Sequence, residues 1–391
     1  MQNVNLMKLA KSPYIAFILV VTIFCFYMFP CVDSFYYFDW SQNLQLSYYD
    51  GPPLIAYTIK LITFIFGNSV FSLNFLGLIF ALISACLIFK ISELWNNQSG
   101  KLASLLWLVY PFGVIRFVIT NVTYDGLECI FNLAIIYTVC LYLKTQNNRL
   151  IYLIGILAGF LLLSKYSGVI LLISLILFFI VNKEYRGIFK KHQLYLSILI
   201  CLIMFSPVII WNYQHDWISF KYQLTTHLWS TDQYHNIHEP HKKWWQGILF
   251  YVWSAFFGSE NILILFLAYL FFKKKLVIHQ DPYLKLLIWL SISFGIFWLF
   301  LSPFAHVSLS YTLPLTNMLI LLVSYFIVKY RYIKFYNILV IIFIIISLSI
   351  LVGKCSIKKA LKQACYQTTY NSFNSNCYNS YISNQKLKWY R

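Results

Sequence analysis

The residues best suited to chemistry crowd into one short stretch, Val32 to Tyr57, which reads VDSFYYFDWSQNLQLSYYDGPPLIAY. It holds Asp33, Asp39 and Asp50, in a chain of 391 residues that has only 12 Asp and Glu in all. Carboxylates at that density suit proton transfer to or from a hydroxylated ligand. Asp33, Tyr36, Tyr37 and Trp40 follow the i, i+3, i+4, i+7 spacing, so a short helix would set one carboxylate and three aromatic rings on one face. That face would stack a sugar or lie among lipid headgroups, where Tyr and Trp concentrate anyway. Asp33 also suits a helix cap. Asp50 stands in Tyr-Tyr-Asp-Gly-Pro-Pro, and the rigid Pro-Pro turn fixes where its side chain sits.

Further along, Asn121-Val-Thr-Tyr-Asp125-Gly and Leu163-Ser-Lys165-Tyr-Ser-Gly are two hinges carrying one charge each, of opposite sign. Lys165 would either snorkel to headgroups or hold a phosphate as a compact cation, and Arg116 is a second cation for that role. The segment after Trp211 contains Trp-Asn-Tyr-Gln-His215-Asp216-Trp and then His235-Asn-Ile-His238-Glu-Pro-His241. Three histidines and a glutamate suit a divalent transition metal, although the spacing matches no standard site and HExxH is absent. A solvated, sugar-contacting loop is the preferred reading of that segment. No glycine-rich phosphate cradle occurs, so a nucleotide is not expected.

The elements that must position these residues are membrane helices. Hydrophobic residues make up 60% of the chain, charged residues 11%, and mean hydropathy is +0.69, far from a soluble domain, where about a quarter of residues are charged. Apolar runs near the roughly 20 residues needed to cross a bilayer recur throughout. They predict eleven spans, at 12–31, 70–91, 102–119, 126–143, 150–164, 166–182, 194–211, 256–272, 284–301, 308–328 and 333–353. The segment 54–66 is interfacial or re-entrant. This organisation gives a transmembrane domain over 1–353, with outer loops at 32–69 and 212–247, and a polar tail at 354–391.

Lysine and arginine favour cytoplasmic loops, and most of them fall on one side if the N-terminus is inside. The acids divide the other way, which places Asp33, Asp50, Asp125 and Asp216 at the outer face. The net charge of +18 therefore reflects orientation and contact with anionic lipid rather than nucleic acid. Most of the nine cysteines fall in spans as small apolar filler. Cys355, Cys365 and Cys377 lie in the tail.

The order of these motifs resembles the dolichyl-phosphate-mannose-protein mannosyltransferase-like family, whose bacterial members include lipid A aminoarabinose transferases. The resemblance runs from Asp33-Ser-Phe-Tyr-Tyr-Phe-Asp-Trp through Tyr48-Tyr-Asp-Gly-Pro-Pro, Thr123-Tyr-Asp125-Gly-Leu and Gly159-Phe-Leu-Leu-Leu-Ser-Lys165 to Trp211-Asn-Tyr-Gln-His-Asp-Trp, and covers about residues 10 to 330. It implies an all-α polytopic membrane protein with the GT-C glycosyltransferase fold and juxtamembrane helices in the first outer loop. It also implies a catalytic Asp33, a second carboxylate at Asp50, a third acidic position at Asp125, and Lys165 beside a donor phosphate. Bacterial relatives usually follow the first aspartate with another acid, where this chain has Ser34, and often carry histidine at Gly51. A polar position before the tenth span falls on His306.

The implied reaction moves a sugar from a polyprenyl-phosphate donor to an envelope glycan, lipid or protein, by inversion, at the periplasmic face of a bacterial inner membrane. Asp33 would be the base, Lys165 and Arg116 would answer the departing phosphate, and Tyr36, Tyr37, Trp40, Asp125, His215 and Asp216 would contact substrate. No nucleotide is needed and no cofactor is certain, with a divalent metal left as an open alternative. A flippase for lipid-linked sugars would instead predict repeated halves and charges at the midplane, neither of which is evident. A catalytically silent envelope-assembly protein is the third reading, and Ser34 favours it.

Overall fold

The computed structural model describes residues 32–110, 122–224, 260–273, 281–302, 309–346 and 349. Among them there is no strand, only an isolated bridge between Tyr48 and Gly51. Two short helices, α1 (Val32–Gln42) and α2 (Leu54–Phe66), come first. They are followed by α3 (Val70–Glu93), α4 (Asn97–Val109), α5 (Tyr124–Thr145), α6 (Arg149–Ser164) and α7 (Val169–Val181). Then come α8 (His192–Gln214), α9 (Ile218–Tyr222), α10 (Glu260–Phe272), α11 (Pro282–Leu301), α12 (Leu313–Lys329) and α13 (Ile333–Ile346).

Four of these, α3, α5, α8 and α11, are long and apolar enough to cross a membrane. The helical stretch Tyr166–Val181 joins a 3-10 helix, Lys183–Lys190, at an angle of 112°, so the two together make one broken span or a re-entrant loop. Helices α2, α6, α10, α12 and α13 are apolar but shorter. The expected total of eleven spans is therefore not established. The span expected at 12–31 lies outside the described residues, as do residues 111–119 of the span expected at 102–119, nearly all of 347–353 at the end of the span expected at 333–353, and the tail 354–391. Many apolar side chains point outward, including Leu199, Leu202 and Ile203 on α8 and Ile292, Ile296 and Phe300 on α11. Such surfaces are what a hydrocarbon solvent accommodates.

Local chemistry sets the helix starts. Ser69 caps α3 by accepting from Ser72 N, and Asn96 caps α4 by accepting from Ser99 N. Asp281 caps α11 by accepting from Tyr283 N and Leu284 N, with Pro282 in the first turn. Helices α6 and α8 pack closely because α6 carries Gly155 and Gly159 one turn apart. A Cβ on Gly159 would meet Met204 Cβ of α8 at 2.7 Å. This small-xxx-small spacing lets two membrane helices approach backbone to backbone. The start of α5 and the ends of α6 and α8 lie beside the first outer loop, joined to it by Val122 N to Ser34 Oγ, Tyr166 OH to Ser47 Oγ and Trp211 Nε1 to Gln45 Oε1. Lys90, Lys101, Lys144, Lys183, Lys285 and Lys329 gather at the opposite end.

Candidate active site

The site is built on the first outer loop. Helix α1 turns Tyr37 and Trp40 inward, where they are 4% and 8% exposed. Their rings meet edge-on at 5.0 Å, Tyr37 meets Tyr124 at 5.2 Å, and Trp40 stacks on Tyr48 at 4.1 Å. The one-faced sugar platform expected from Tyr36, Tyr37 and Trp40 is thus largely a packing cluster that anchors α1 to the start of α5. Burial of large aromatic surface outweighs what an open ring would gain from stacking a ligand. Ser34 is fully buried, and its Oγ accepts from Val122 N at 2.8 Å. At the position where the resemblance implies an acid, this chain has a clamp between the loop and the α5 entry.

Asp33 lies on the same helix but stays exposed. Protein around it still raises its carboxyl above the usual range, through desolvation first and the nearby Asp125 charge second. Asp50 sits at the tip of a tight turn closed by Tyr48 N to Gly51 O at 3.0 Å and Gly51 N to Tyr48 O at 3.4 Å. Gln223, just past α9, donates to the Asp50 carbonyl. The turn is fixed by these bonds as much as by Pro52 and Pro53. Burial pushes the Asp50 carboxyl up to about 7 against a lowering hydrogen bond from Tyr36, and the charge on Asp33 adds to the rise. Its Oδ1 is enclosed and has no hydrogen-bond partner. Tyr36 and Asp33 are three residues apart on α1, so Asp33 and Asp50 converge on one patch.

The α8–α9 corner also grips the loop. Trp211 Nε1 donates to Gln45 Oε1 at 3.0 Å, and Tyr166 OH lies 2.9 Å from Ser219 Oγ and 3.3 Å from Ser47 Oγ. His215 stacks on Trp211 at 4.0 Å, with its Nδ1 2.7 Å from the Trp211 carbonyl. Asp216 is exposed in a left-handed conformation, φ 53°.

Beneath this surface lies a buried ion cluster. Thr123 caps α5 by accepting from Asp125 N at 3.3 Å, and its hydroxyl donates to Asp125 Oδ2 at 3.0 Å. Helix α6 ends at Ser164, and Lys165 then points its ammonium at Asp125 Oδ1, 2.6 Å away, and Glu128 Oε2, 3.0 Å away. Ser167 Oγ donates to Glu128 Oε1 at 2.7 Å. The faces of Tyr311 and Tyr124 lie 4.8 and 5.2 Å from Lys165 Nζ, and Tyr311 stacks on Trp298 at 5.0 Å. Lys165 is 7% exposed, Asp125 6% and Glu128 3%.

This corrects the expectation for Lys165, which neither snorkels nor presents an open ammonium to a phosphate. A buried cation needs paired carboxylates, and here it has two. Arg116, His235, His238, His241 and His306 lie outside the described residues. Glu128, Thr123, Ser167 and Tyr311 were not singled out from sequence. Glu128 was legible in principle, since Asp125 and Glu128 share a helix face at i, i+3. The pairing with Lys165 needs the fold.

Among the described residues no group of three or more His, Cys, Asp or Glu is gathered as metal ligands. Exposed Asp33 and the unpartnered Oδ1 of Asp50 are oxygen donors of the kind a hard divalent cation takes, but Asp125 is engaged by Lys165 and Thr123. The described donors fit such an ion only in part.

The helical arrangement matches solved membrane glycosyltransferases and has the GT-C fold. ArnT from Cupriavidus metallidurans bound to undecaprenyl phosphate superposes with a TM-score of 0.60 at 11% identity, covering 94% of this chain and 68% of that one. The archaeal oligosaccharyltransferase AglB from Archaeoglobus fulgidus, in complex with an inhibitory peptide and a dolichol-phosphate, gives 0.52 at 12% identity, covering 95% and 59%. A structure of an Archaeoglobus fulgidus oligosaccharyltransferase in complex with Zn and sulfate also matches. Within this fold, residues 50–211 match the dolichyl-phosphate-mannose-protein mannosyltransferase family model, as the motif order led us to expect. The matched stretch is narrower than the resemblance read from sequence, and Asp33 precedes it. Lipid A galacturonosyltransferase RgtD of Rhizobium johnstonii is 23% identical over 268 residues, which is 66% of this chain and 52% of that protein. The chain thus spans about half the length of this curated relative.

Proposed function

We propose that this chain is a membrane glycosyltransferase that moves a sugar from a polyprenyl-phosphate donor to an envelope acceptor at the outer face of the inner membrane. The observation that carries this reading is the convergence of Asp33, open, and Asp50, fixed, at the mouth of a helix bundle. Family relatives that act on lipid A or hold undecaprenyl phosphate support the donor and acceptor classes.

Asp33 is the general base. It accepts the proton of an acceptor hydroxyl as that oxygen bonds to the anomeric carbon. The bond from that carbon to the phosphate oxygen breaks, its electron pair leaves with the polyprenyl phosphate, and one displacement inverts the centre. The raised pKa of Asp33 makes it a stronger base than a free aspartate. Asp50, with Oδ1 enclosed, is badly placed to attack a sugar carbon, and the charge that acts on Asp33 is that of Asp125. Lys165 holds Asp125 and Glu128 in place rather than meeting the phosphate, which leaves Arg116 as the cation for the leaving group.

Mass spectrometry of lipid A and envelope glycans from cells with and without the gene tests the reading. A sugar present only with the gene, and missing in cells carrying Asp33→Asn, is the expected result. Identical glycans in all three would overturn it.

A further inference from the structure

At the end of the bundle remote from the carboxylates, the chain leaves α7 at Val181 and turns 112° into the 3-10 helix Lys183–Lys190. That helix therefore runs across the direction of α7, at the end of the bundle where α7 stops. Its apolar side is anchored: Ile188 is 4% exposed, and Tyr185 stacks on Phe178 at 5.7 Å. Its other side exposes Lys183, Arg186 and Lys190. The sole acid in the segment, Glu184, is taken by Lys285 of α11 at 2.7 Å. The segment therefore presents unbalanced positive charge.

Between this helix and the end of α5 is a cavity lined by Tyr142, Gln146, Glu184, Tyr185, Gly187, Ile188 and Lys191, in which the Glu184 carboxylate is the one already paired with Lys285. Lys191 Nζ enters it, held 3.0 Å from Tyr142 OH and 2.8 Å from Asn148 Oδ1. Nothing lies within 4 Å of a Cβ built on Gly187, so that wall is open. A partly satisfied ammonium and a phenol in a cleft between membrane helices suit a phosphodiester, and the flanking cations suit a second negative charge beside it.

We propose that this cleft binds the headgroup of an anionic phospholipid, with Lys191 on the phosphate and Lys183, Arg186 and Lys190 over the neighbouring headgroups. The proposal does not depend on the transferase reading. The site lies opposite Asp33 and uses none of its residues.

The test uses the full chain in nanodiscs of dioleoylphosphatidylcholine, with or without dioleoylphosphatidylglycerol, and reads lipid retention after detergent extraction by native mass spectrometry. Wild type is expected to retain phosphatidylglycerol over phosphatidylcholine. Lys183→Gln with Lys190→Gln, both exposed, should lower that preference about 25-fold, at about fivefold per cation removed, and Lys191→Gln about fivefold. Lys60→Gln, a cation on α2 at the other end, should leave it unchanged. Equal retention of the two lipids by wild type, or an unchanged preference in both cleft variants, would overturn the proposal. So would a thermal stabilisation that inorganic phosphate reproduces as fully as phosphatidylglycerol does.

Discussion

Lys165 Nζ lies 2.6 Å from Asp125 Oδ1 although the two residues are forty apart in sequence, and Glu128 completes the cluster at 3.0 Å. One buried cation answers two buried carboxylates. Replacing Lys165 with Met leaves both acids uncompensated and is expected to cost about 3–5 kcal/mol, read as a fall in melting temperature of the detergent-purified protein. Adding Glu128→Gln should return part of that loss. Strict additivity of the two substitutions in a double-mutant cycle would mean the pair does not interact.

Asp50 makes stability fall as pH rises. Burial lifts its carboxyl from 3.8 to about 7, so between those values the folded chain holds a proton that the unfolded chain has given up. The stability it contributes is complete below the lower value and lost as pH passes the upper one. Asp33, also raised, acts in the same direction. Asp50→Asn stays neutral throughout, so its melting temperature should exceed that of wild type increasingly from about pH 5 to pH 8. A gap that stays constant, or narrows, over that range speaks against a buried Asp50.

Ser34 is read here as a clamp. Ser34→Ala removes the acceptor for Val122 N and should cost about 1 kcal/mol while the protein keeps its fold. Sugar transfer should fall less than in any variant of Asp33. A loss as complete as that of Asp33→Asn would move Ser34 into the chemistry.

Gly159 tests how the fold delivers Lys165. Valine there drives side-chain atoms into Met204 of α8, and α6 must shift or tilt, at an expected cost of about 1–3 kcal/mol seen in thermal melts. An unchanged melt would show that the two helices are not held in close contact.

The membrane class, the helical fold and the grouping of acids at one end were legible because each is written in composition and charge order. The i, i+3 pairing of Asp33 and Tyr36 was also readable, and the structure sets Tyr36 against Asp50. The fate of Tyr37 and Trp40 was not, since a helical face cannot say whether rings look toward ligand or toward a neighbour such as Tyr124. Lys165 misled for a related reason. A lone lysine between apolar runs reads as free cation until the fold brings Asp125 and Glu128 beneath it. The Gly155–Gly159 spacing stands in the sequence but was not singled out, and only the fold shows that α8 is what packs against it.

The central claim is that Asp33 takes the acceptor proton, and sugar transfer by purified Asp33→Asn tests it most directly. The full chain is assayed with a polyprenyl-phosphate sugar pool and lipid A or envelope glycan extracted from cells lacking the gene. Asparagine keeps the size of the side chain and removes the base, so the rate should drop roughly 100- to 10,000-fold while the melting temperature holds or rises. Transfer at the wild-type rate by a well-folded Asp33→Asn protein would contradict the account.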